Sequence, residues 1–267
     1  SPQLSNGVAI FMSLFAAAMW GTWFISLKYL KDYPIQAFIM TLFATSLVLV
    51  WGVGFILDGK ALLGNIRDVY LVKSSCIWIT FVCGILYVIG MSLSMTVLKT
   101  IGLSLSQPIQ SSVNILAGTL VSGLVGGMPE NISMSKMFIA IAFLLAAVVM
   151  SVIAGNLRIK AQDQGQTQSD LSFTKKELVK SLGLIAFASL FVPSYTLAIS
   201  YGLKSTTHAD GLAVMPFMVL LASGAFVGAF LANGITLSVR KQWHVIWEAP
   251  FSIHKWGIMS GLFHYGG

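Results

Sequence analysis

Residues 137–157 read MFIAIAFLLAAVVMSVIAGNL, a run of 21 residues without one charged side chain. About 18–20 apolar residues in an α-helix are enough to cross the hydrocarbon core of a bilayer. Seven further charge-free spans flank this one, at 1–27, 33–57, 74–98, 100–129, 181–203, 211–239 and 256–267. Seven of the eight are long enough to cross, and the last stops with the chain after about half a crossing. The pattern predicts an all-α, polytopic membrane protein.

The composition agrees with this prediction. The chain is 56% hydrophobic and 9% charged, with a mean hydropathy of +0.83, whereas about a quarter of the residues in soluble domains are charged. Its net charge of +7 comes from Lys and Arg clustered between the apolar spans, where they anchor helices instead of binding nucleic acid. Cys76 and Cys83 share one span and are expected to be packing residues, and no disulfide, metal site or cofactor is predicted. Continuous apolar runs, without period-two alternation, exclude an outer-membrane barrel.

The charges between the spans predict the orientation of the chain. Helices are predicted at 7–27, 36–57, 76–98, 101–126, 137–155, 181–203, 212–237 and from 256 onward. The first, third, fifth and seventh loops hold eleven Lys and Arg, and the second, fourth and sixth hold five. By the positive-inside rule, the N-terminus lies outside and the polar segment 156–180 lies in the cytoplasm, in a plasma or inner membrane. The glycosylation sequon Asn131-Ile-Ser133 would then also lie outside.

The two halves of the chain resemble each other when one is shifted along the other. A shift of 176 residues aligns the first and second predicted helices with the sixth and seventh, and a shift of 177 aligns the third with the eighth. The paired positions include 13–15 with 189–191, Leu27 and Lys28 with Leu203 and Lys204, Gly52 with Gly228, and Gly84 with Gly261. Two five-helix repeats are implied, 1–155 and 181–267, joined by the linker 156–180. An odd number of helices inverts the second repeat, and ten helices are expected of which about seven and a half are present, so the chain is expected to be partial.

The fourth predicted helix carries the most polar residues of any span. They are Ser104, Ser106, Gln107, Gln110, Ser111, Ser112 and Asn114. Gln107, Gln110 and Asn114 recur at helical spacing and share one face, where their amides suit a neutral solute that carries hydroxyl or urea-like groups. Pro108 is expected to open the helix at this point. Hydrogen bonding between helices is the alternative role of these side chains.

Three further features mark candidate positions in other helices. Trp20 and Trp23 lie deeper than an interfacial belt and share one helical face. The segment 193–195 (PSY) predicts a helix break that presents the hydroxyl of Tyr195 near a central cavity. His264 is the one ionisable group well inside an apolar span, either as a packing residue or as a solute or proton site.

Other residues are expected to have structural roles. Small residues four apart predict close helix packing, at Gly118, Ser122 and Gly126 and at Gly224, Gly228 and Ala232. Trp243, Trp247 and Trp256 flank a span and are expected to lie at the membrane interface. No Asp or Glu lies in the middle of a span, so no carboxylate is assigned to ion coupling.

Three stretches of the chain can be compared with known families. They are 19–30 (MWGTWFISLKYL), the Gly-rich stretch 83–130 that ends in Gly127-Met-Pro-Glu130, and 260–267 (SGLFHYGG). Together they resemble the drug/metabolite transporter superfamily, and within it the branch of glucose/ribose porters, rhamnose transporters and plant ureide permeases. The resemblance implies ten helices in two inverted repeats, a central solute pathway and a cytoplasmic middle loop. The chain departs from the family by the absence of the last two helices and by a short linker without a phosphate-binding Gly-Lys motif.

These observations predict a secondary transporter that moves a small polar organic solute by alternating access. A sugar is the first choice, and a ureide, a nucleobase or a multidrug-type substrate is the alternative; a homodimer is left open. The predicted substrate-binding residues are Trp20, Trp23, Gln107, Gln110, Asn114, Tyr195, His264 and Tyr265. A seven-helix receptor is the rival from another class, but 212–237 lacks the lysine that a retinal protein needs. An enzyme is not expected, because no metalloprotease motif, serine motif or membrane-embedded acid pair is found.

Overall fold

The computed structural model describes residues 6–30, 32–125, 133–163, 173–205 and 208–266. This part of the chain is helical, apart from connecting segments and one isolated β-bridge between Leu203 and Leu212. The predicted all-α class is therefore confirmed. The helices are α1 (Asn6–Thr22), a 3₁₀ helix (Trp23–Tyr29), α2 (Ile35–Asp58), α3 (Lys60–Ile101), α4 (Leu103–Val125), α5 (Met134–Asp163), α6 (Lys175–Ala188), α7 (Ser194–Gly202), α8 (Val214–Val239), α9 (His244–Glu248) and α10 (Phe251–Gly266).

Five helical segments in the described ranges are long and apolar enough to cross a membrane. They are Gly7–Tyr29, Ile35–Asp58, Lys60–Ile101, Ser135–Ala161 and Val214–Val239. The charge-free spans predict seven full crossings, and the other two do not meet these criteria. Polar residues crowd the first half of α4, and the predicted helix 181–203 is divided between α6 and α7. The chain is thus a protein of several apolar helices compatible with a membrane.

The predicted second loop is helical instead. Helix α3 begins at Lys60, directly after Gly59, whose φ of 53° lets the chain turn out of α2. Lys73 interrupts the helix with φ −150° and ψ 71°, so the segment before it forms a separate helical arm that leads into the apolar part. The sequence pattern predicts that the third helix begins near residue 76, because the charged residues of this arm end just before that position.

The centre of the bundle is the seam between α3 and α8. A Cβ atom on Gly224 would clash with the carbonyl oxygen of Phe81, and one on Gly228 would lie 2.7 Å from the carbonyl oxygen of Ile85. Only glycine lets the two backbones approach this closely, which confirms the predicted packing role of Gly224 and Gly228. Cys76 and Cys83 are buried in the same region, as free thiols among apolar side chains, which confirms their predicted packing role.

The connecting segments group at two ends of the bundle. At one end, a pocket joins Asp32 before α2, Lys99 at the end of α3 and Arg240 after α8, which belong to the first, third and seventh loops. At the other end, Asn65 in the second loop accepts a hydrogen bond of 3.1 Å from the backbone N–H of Ala213, which caps α8 directly after the sixth loop. The alternation that the charge count assumed is therefore present in these loops, and which end faces the cytoplasm stays a prediction.

Some predicted features fall outside the described residues. They are Asn131 and Ile132 of the sequon, Gly126 of the small-residue seam, the stretch 127–130, the middle of the linker from 164 to 172, and Gly267.

Candidate functional site

The main cavity of the described structure is enclosed by several helices of the bundle. Its volume is about 940 Å³, within the range of small-molecule sites. Its walls come from the junction of α1 with the 3₁₀ helix, from the second half of α3, from α4, from the segment that leads into α7, and from α10. Helices from both halves of the chain therefore enclose one space.

An aromatic corner, formed by Trp20, Trp23, Tyr87 and His264, closes one side of this cavity. The His264 imidazole stacks on Trp20, with centroids 5.8 Å apart and planes 17° apart, and meets Trp23 edge-on at 5.1 Å. A hydrogen bond of 3.0 Å joins its Nε2 to the hydroxyl of Tyr87. The other ring nitrogen, Nδ1, is buried and has no hydrogen-bond partner among the described residues. The corner is thus held by ring packing and one internal hydrogen bond.

The two tryptophans differ in exposure, and the helix changes type between them. Trp20 lies near the end of α1 and is 49% exposed, whereas Trp23 begins the 3₁₀ helix and is 8% exposed. The hydroxyl of Ser260, which is buried, donates to the carbonyl of Trp23 over 2.6 Å and ties this junction to α10. Both rings line the cavity, but Trp20 keeps about half of its surface free, whereas Trp23 is packed into the aromatic corner.

A second wall is the amide face of α4. Gln110 is 5% exposed, and its Nε2 donates to the carbonyl of Ser94 on α3 over 3.2 Å, so it joins two helices. Gln107 donates to the hydroxyl of Ser111 within its own helix over 3.3 Å. Both line the cavity together with Asn114. Helix α4 continues through Pro108, so the predicted opening at this proline is wrong; α4 is a single helix from Leu103 to Val125.

The third wall follows the interruption between α6 and α7, at the position where the sequence predicts a break. Helix α6 ends at Ala188 and α7 starts at Ser194, with Pro193 as its N-cap residue. The break confirms that prediction. Tyr195 lines the cavity, with its ring 5.6 Å from that of Tyr87, and Thr196 and Ser200 add two hydroxyl groups to the same wall.

Seven of the eight predicted binding residues line this one cavity, and Tyr265 does not. The Tyr265 ring packs edge-on against Phe43 at 6.4 Å, and its hydroxyl is buried without a partner among the described residues. Neighbouring positions on a helix point about 100° apart, so a helix that turns His264 to the cavity turns Tyr265 away from it. Tyr265 thus lies outside the described wall of this cavity, and its role as a solute contact stays a prediction.

Sequence reasoning missed Tyr87, Thr196 and Ser200, which also line the cavity. The internal repeat contains the signal for all three. A shift of 177 residues pairs Tyr87 with His264, and a shift of 176 pairs Trp20 with Thr196 and Phe24 with Ser200. Both members of each pair line the cavity, and Tyr87 and His264 are hydrogen-bonded to each other.

The electrostatic character of the cavity is neutral. None of its described lining residues is Asp, Glu, Lys or Arg, and its polar groups are amides, hydroxyls and one imidazole. No group of three His, Cys, Asp or Glu that could hold a metal ion occurs in the described ranges. Such a wall can exchange hydrogen bonds with a solute but offers it no opposite charge.

Comparison with known proteins gives no match, since no family model, no curated protein and no solved structure is similar enough to place this chain beside it.

Proposed function

We propose that this protein is a secondary transporter, which carries a small, uncharged, polar organic solute across a membrane by alternating access. The observation that carries the proposal is the neutral cavity of about 940 Å³ inside a bundle of apolar helices. Polar groups inside an apolar bundle are costly and usually face a solute or ion pathway. The proposal agrees with the resemblance of the sequence to the drug/metabolite transporter superfamily.

The chemistry of the walls favours a sugar as the solute. The half-exposed ring of Trp20 offers an apolar face to the C–H groups of a pyranose or furanose ring. Asn114 and Ser111, on the α4 wall, can donate to and accept from several hydroxyl groups. A planar ureide or nucleobase is the second choice, because it can stack on the same ring. A cationic drug is disfavoured, since the described lining supplies no carboxylate.

Contacts between repeat-equivalent residues support an inverted-repeat architecture. Gly84 on α3 packs against the backbone of α8 at Leu221, and Gly261 on α10 packs against α2 at Thr45. The shift that pairs the two glycines also pairs Thr45 with Leu221, to within one residue. Two repeats that make equivalent contacts can exchange conformations, which is how inverted repeats open alternately to the two sides of a membrane.

The decisive experiment measures uptake into liposomes that contain the purified full-length protein. The panel comprises radiolabelled glucose, ribose, rhamnose, allantoin, uracil and one quaternary ammonium dye. Saturable uptake of one neutral solute is expected. Absence of uptake for every neutral solute, beyond that of protein-free liposomes, would falsify the proposal.

Two tryptophan variants test whether the cavity is the site of uptake. In Trp20→Ala, loss of the stacking face is expected to raise the half-saturation concentration roughly tenfold, equivalent to about 1.4 kcal/mol. Trp247→Ala is the matched control, because Trp247 is 82% exposed at the end of the bundle and does not line the cavity. Equal effects of the two substitutions would place the solute elsewhere.

A further inference from the structure

A second pocket lies at the end of the bundle where α2 begins and α3 and α8 finish. Its volume is about 320 Å³, and it is called the end pocket here. All three helices are candidate membrane spans, so the end pocket lies where their apolar segments meet polar residues. In a bilayer, such a border lies at the depth of the lipid headgroups, whether or not the protein is a transporter.

Two cations from different helices line the end pocket. Lys99 comes from the last turn of α3 and Arg240 is the C-cap residue of α8. Neither forms an ion pair with an acidic side chain in the described part of the chain. Two such cations around one concave space attract a phosphate group, and basic pockets between membrane helices are known to bind lipid headgroups.

Hydrogen-bond acceptors line the same space. Asp32 supplies a carboxylate before α2. The hydroxyls of Thr96 and Thr100 donate to the carbonyls of Ser92 and Thr96 over 3.0 and 2.9 Å, so their protons are already used. Their oxygen atoms keep free lone pairs and can only accept from a ligand. A ligand that satisfies both sets of groups therefore carries a phosphate and hydrogen-bond donors, and an ammonium supplies such donors together with a charge that complements Asp32.

The backbone beside the end pocket adopts a conformation that is unusual for its residue. Lys241 has φ 55°, the one positive φ of a non-glycine residue in the described ranges. The N–H of Gln242 bonds to the carbonyl of Leu237 over 2.8 Å, and that of Lys241 bonds to Ser238 over 3.1 Å. This is the Schellman pattern, which normally has glycine at this position. The turn directs Arg240 and Gln242, the residues on either side of Lys241, to the end pocket.

We infer that the end pocket binds a phosphoethanolamine group, with the phosphate between Lys99 and Arg240 and the ammonium near Asp32 and the two threonine oxygens. The group has two sources, a phosphatidylethanolamine headgroup in the membrane and soluble phosphoethanolamine. Choline lacks N–H donors, and glycerol lacks a cation, so headgroups with these groups satisfy only part of the pocket.

The test follows the thermal unfolding of the detergent-purified full-length protein as lipid is added. Micelles doped with phosphatidylethanolamine, phosphatidylcholine or phosphatidylglycerol form three arms, and soluble phosphoethanolamine and inorganic phosphate form two more. Phosphatidylethanolamine is expected to raise the unfolding temperature at the lowest concentration. If soluble phosphoethanolamine is equally effective, the group is recognised without its acyl chains.

Charge variants separate the two halves of the pocket. Lys99→Gln and Arg240→Gln are each expected to weaken binding of phosphatidylethanolamine and phosphatidylglycerol about fivefold. Asp32→Asn is expected to weaken binding of phosphatidylethanolamine alone. Lys241→Gly is the control, because it removes a neighbouring charge, keeps the turn and does not change the lining.

Three results would overturn the inference. They are equal shifts with all three lipids, an unchanged response in Lys99→Gln and Arg240→Gln, and a loss in Lys241→Gly as large as in those variants. Native mass spectrometry of the lipids that co-purify with each variant gives a second readout, which does not depend on the unfolding temperature.

Discussion

The main cavity and the end pocket adjoin the same stretch of α3, but their walls differ in charge. Leu98 lines the cavity and the next residue, Lys99, lines the end pocket. The described walls of the cavity contain no Asp, Glu, Lys or Arg, whereas those of the end pocket contain Lys99, Arg240 and Asp32. The difference follows depth along the helices, because a charge is costly inside the hydrocarbon layer and cheap at its border. Position along the helices therefore separates a neutral lining from a charged one.

The two sites also differ in what holds their shape. Rings that pack on one another form the aromatic corner of the cavity, and one of them, Trp23, is almost fully buried. The charged side chains of the end pocket are exposed and lie at or beside helix ends. Substitutions should therefore affect folding strongly in the first region and weakly in the second.

The largest effect is expected from Trp23→Ala. Removal of a buried indole leaves a void beside His264 and lowers the free energy of unfolding by about 3–5 kcal/mol. Trp20→Ala truncates the same residue type on the same segment, but Trp20 is half-exposed, so its cost should be well below that of Trp23→Ala. Thermal unfolding of both variants in one detergent provides the measurement. Equal losses would show that the exposure of Trp20 and Trp23 does not separate their roles.

A carboxylate placed in each site tests the neutrality of the cavity directly. Gln110→Glu replaces a donor to the Ser94 carbonyl with a charged acceptor inside the bundle, at a cost of about 2.5–3.5 kcal/mol. Gln36→Glu makes the same change in the end pocket beside Lys99 and Arg240, and a change below about 1 kcal/mol is expected. Unfolding at pH 8 compares the two variants. At low pH, where the new carboxyl becomes neutral, Gln110→Glu should recover part of its loss.

Much of the lining of the main cavity could be predicted from sequence, because local patterns determine which residues face it. Helical spacing brings Gln107, Gln110 and Asn114 to one face, and Pro193 interrupts the chain before Tyr195. The amide face and the break are properties of single segments, which explains why a sequence reveals them. The contact of Tyr87 with His264 is different, because only the register of the repeat pairs these two positions.

Other features depend on distant parts of the chain and had no local signal. Trp23 is buried at the start of a 3₁₀ helix, where its carbonyl accepts a hydrogen bond from Ser260, 237 residues away. The end pocket joins residues of three loops, so no single stretch of sequence shows it. The continuity of α4 through Pro108 is likewise a result of packing, because neighbouring helices stabilise a helix that its proline would weaken in isolation.

At their seam, the backbones of α3 and α8 are too close to leave space for a cavity between them. Gly228→Ala places a methyl group against the backbone of Ile85 and is expected to lower the free energy of unfolding by about 1–3 kcal/mol. At its repeat partner Gly52, a methyl group would meet nothing within 4 Å, so Gly52→Ala should be neutral or slightly stabilising. Unfolding of the two variants checks this. A loss in Gly52→Ala that equals the loss in Gly228→Ala would contradict the packing of this seam.

The smallest effect is expected from protonation of Glu177, because it should change only the first turn of α6 at the end of the bundle. Hydrogen bonds from the backbone N–H and the hydroxyl of Thr174, 2.7 and 2.9 Å long, hold the pKa of Glu177 below its ordinary value. Because the folded pKa is lowered, the stabilisation is present above the ordinary pKa and is lost as the pH falls through the folded value. Hydrogen-exchange protection of the first turn of α6 should therefore fall in acid, while that of α3 and α8 stays constant. In Glu177→Gln this loss of protection in acid should disappear, because the carboxylate whose protonation causes it is absent. If the unsubstituted protein also loses protection in α8 at the same pH, charges at the ends of the bundle stabilise its neutral centre as well.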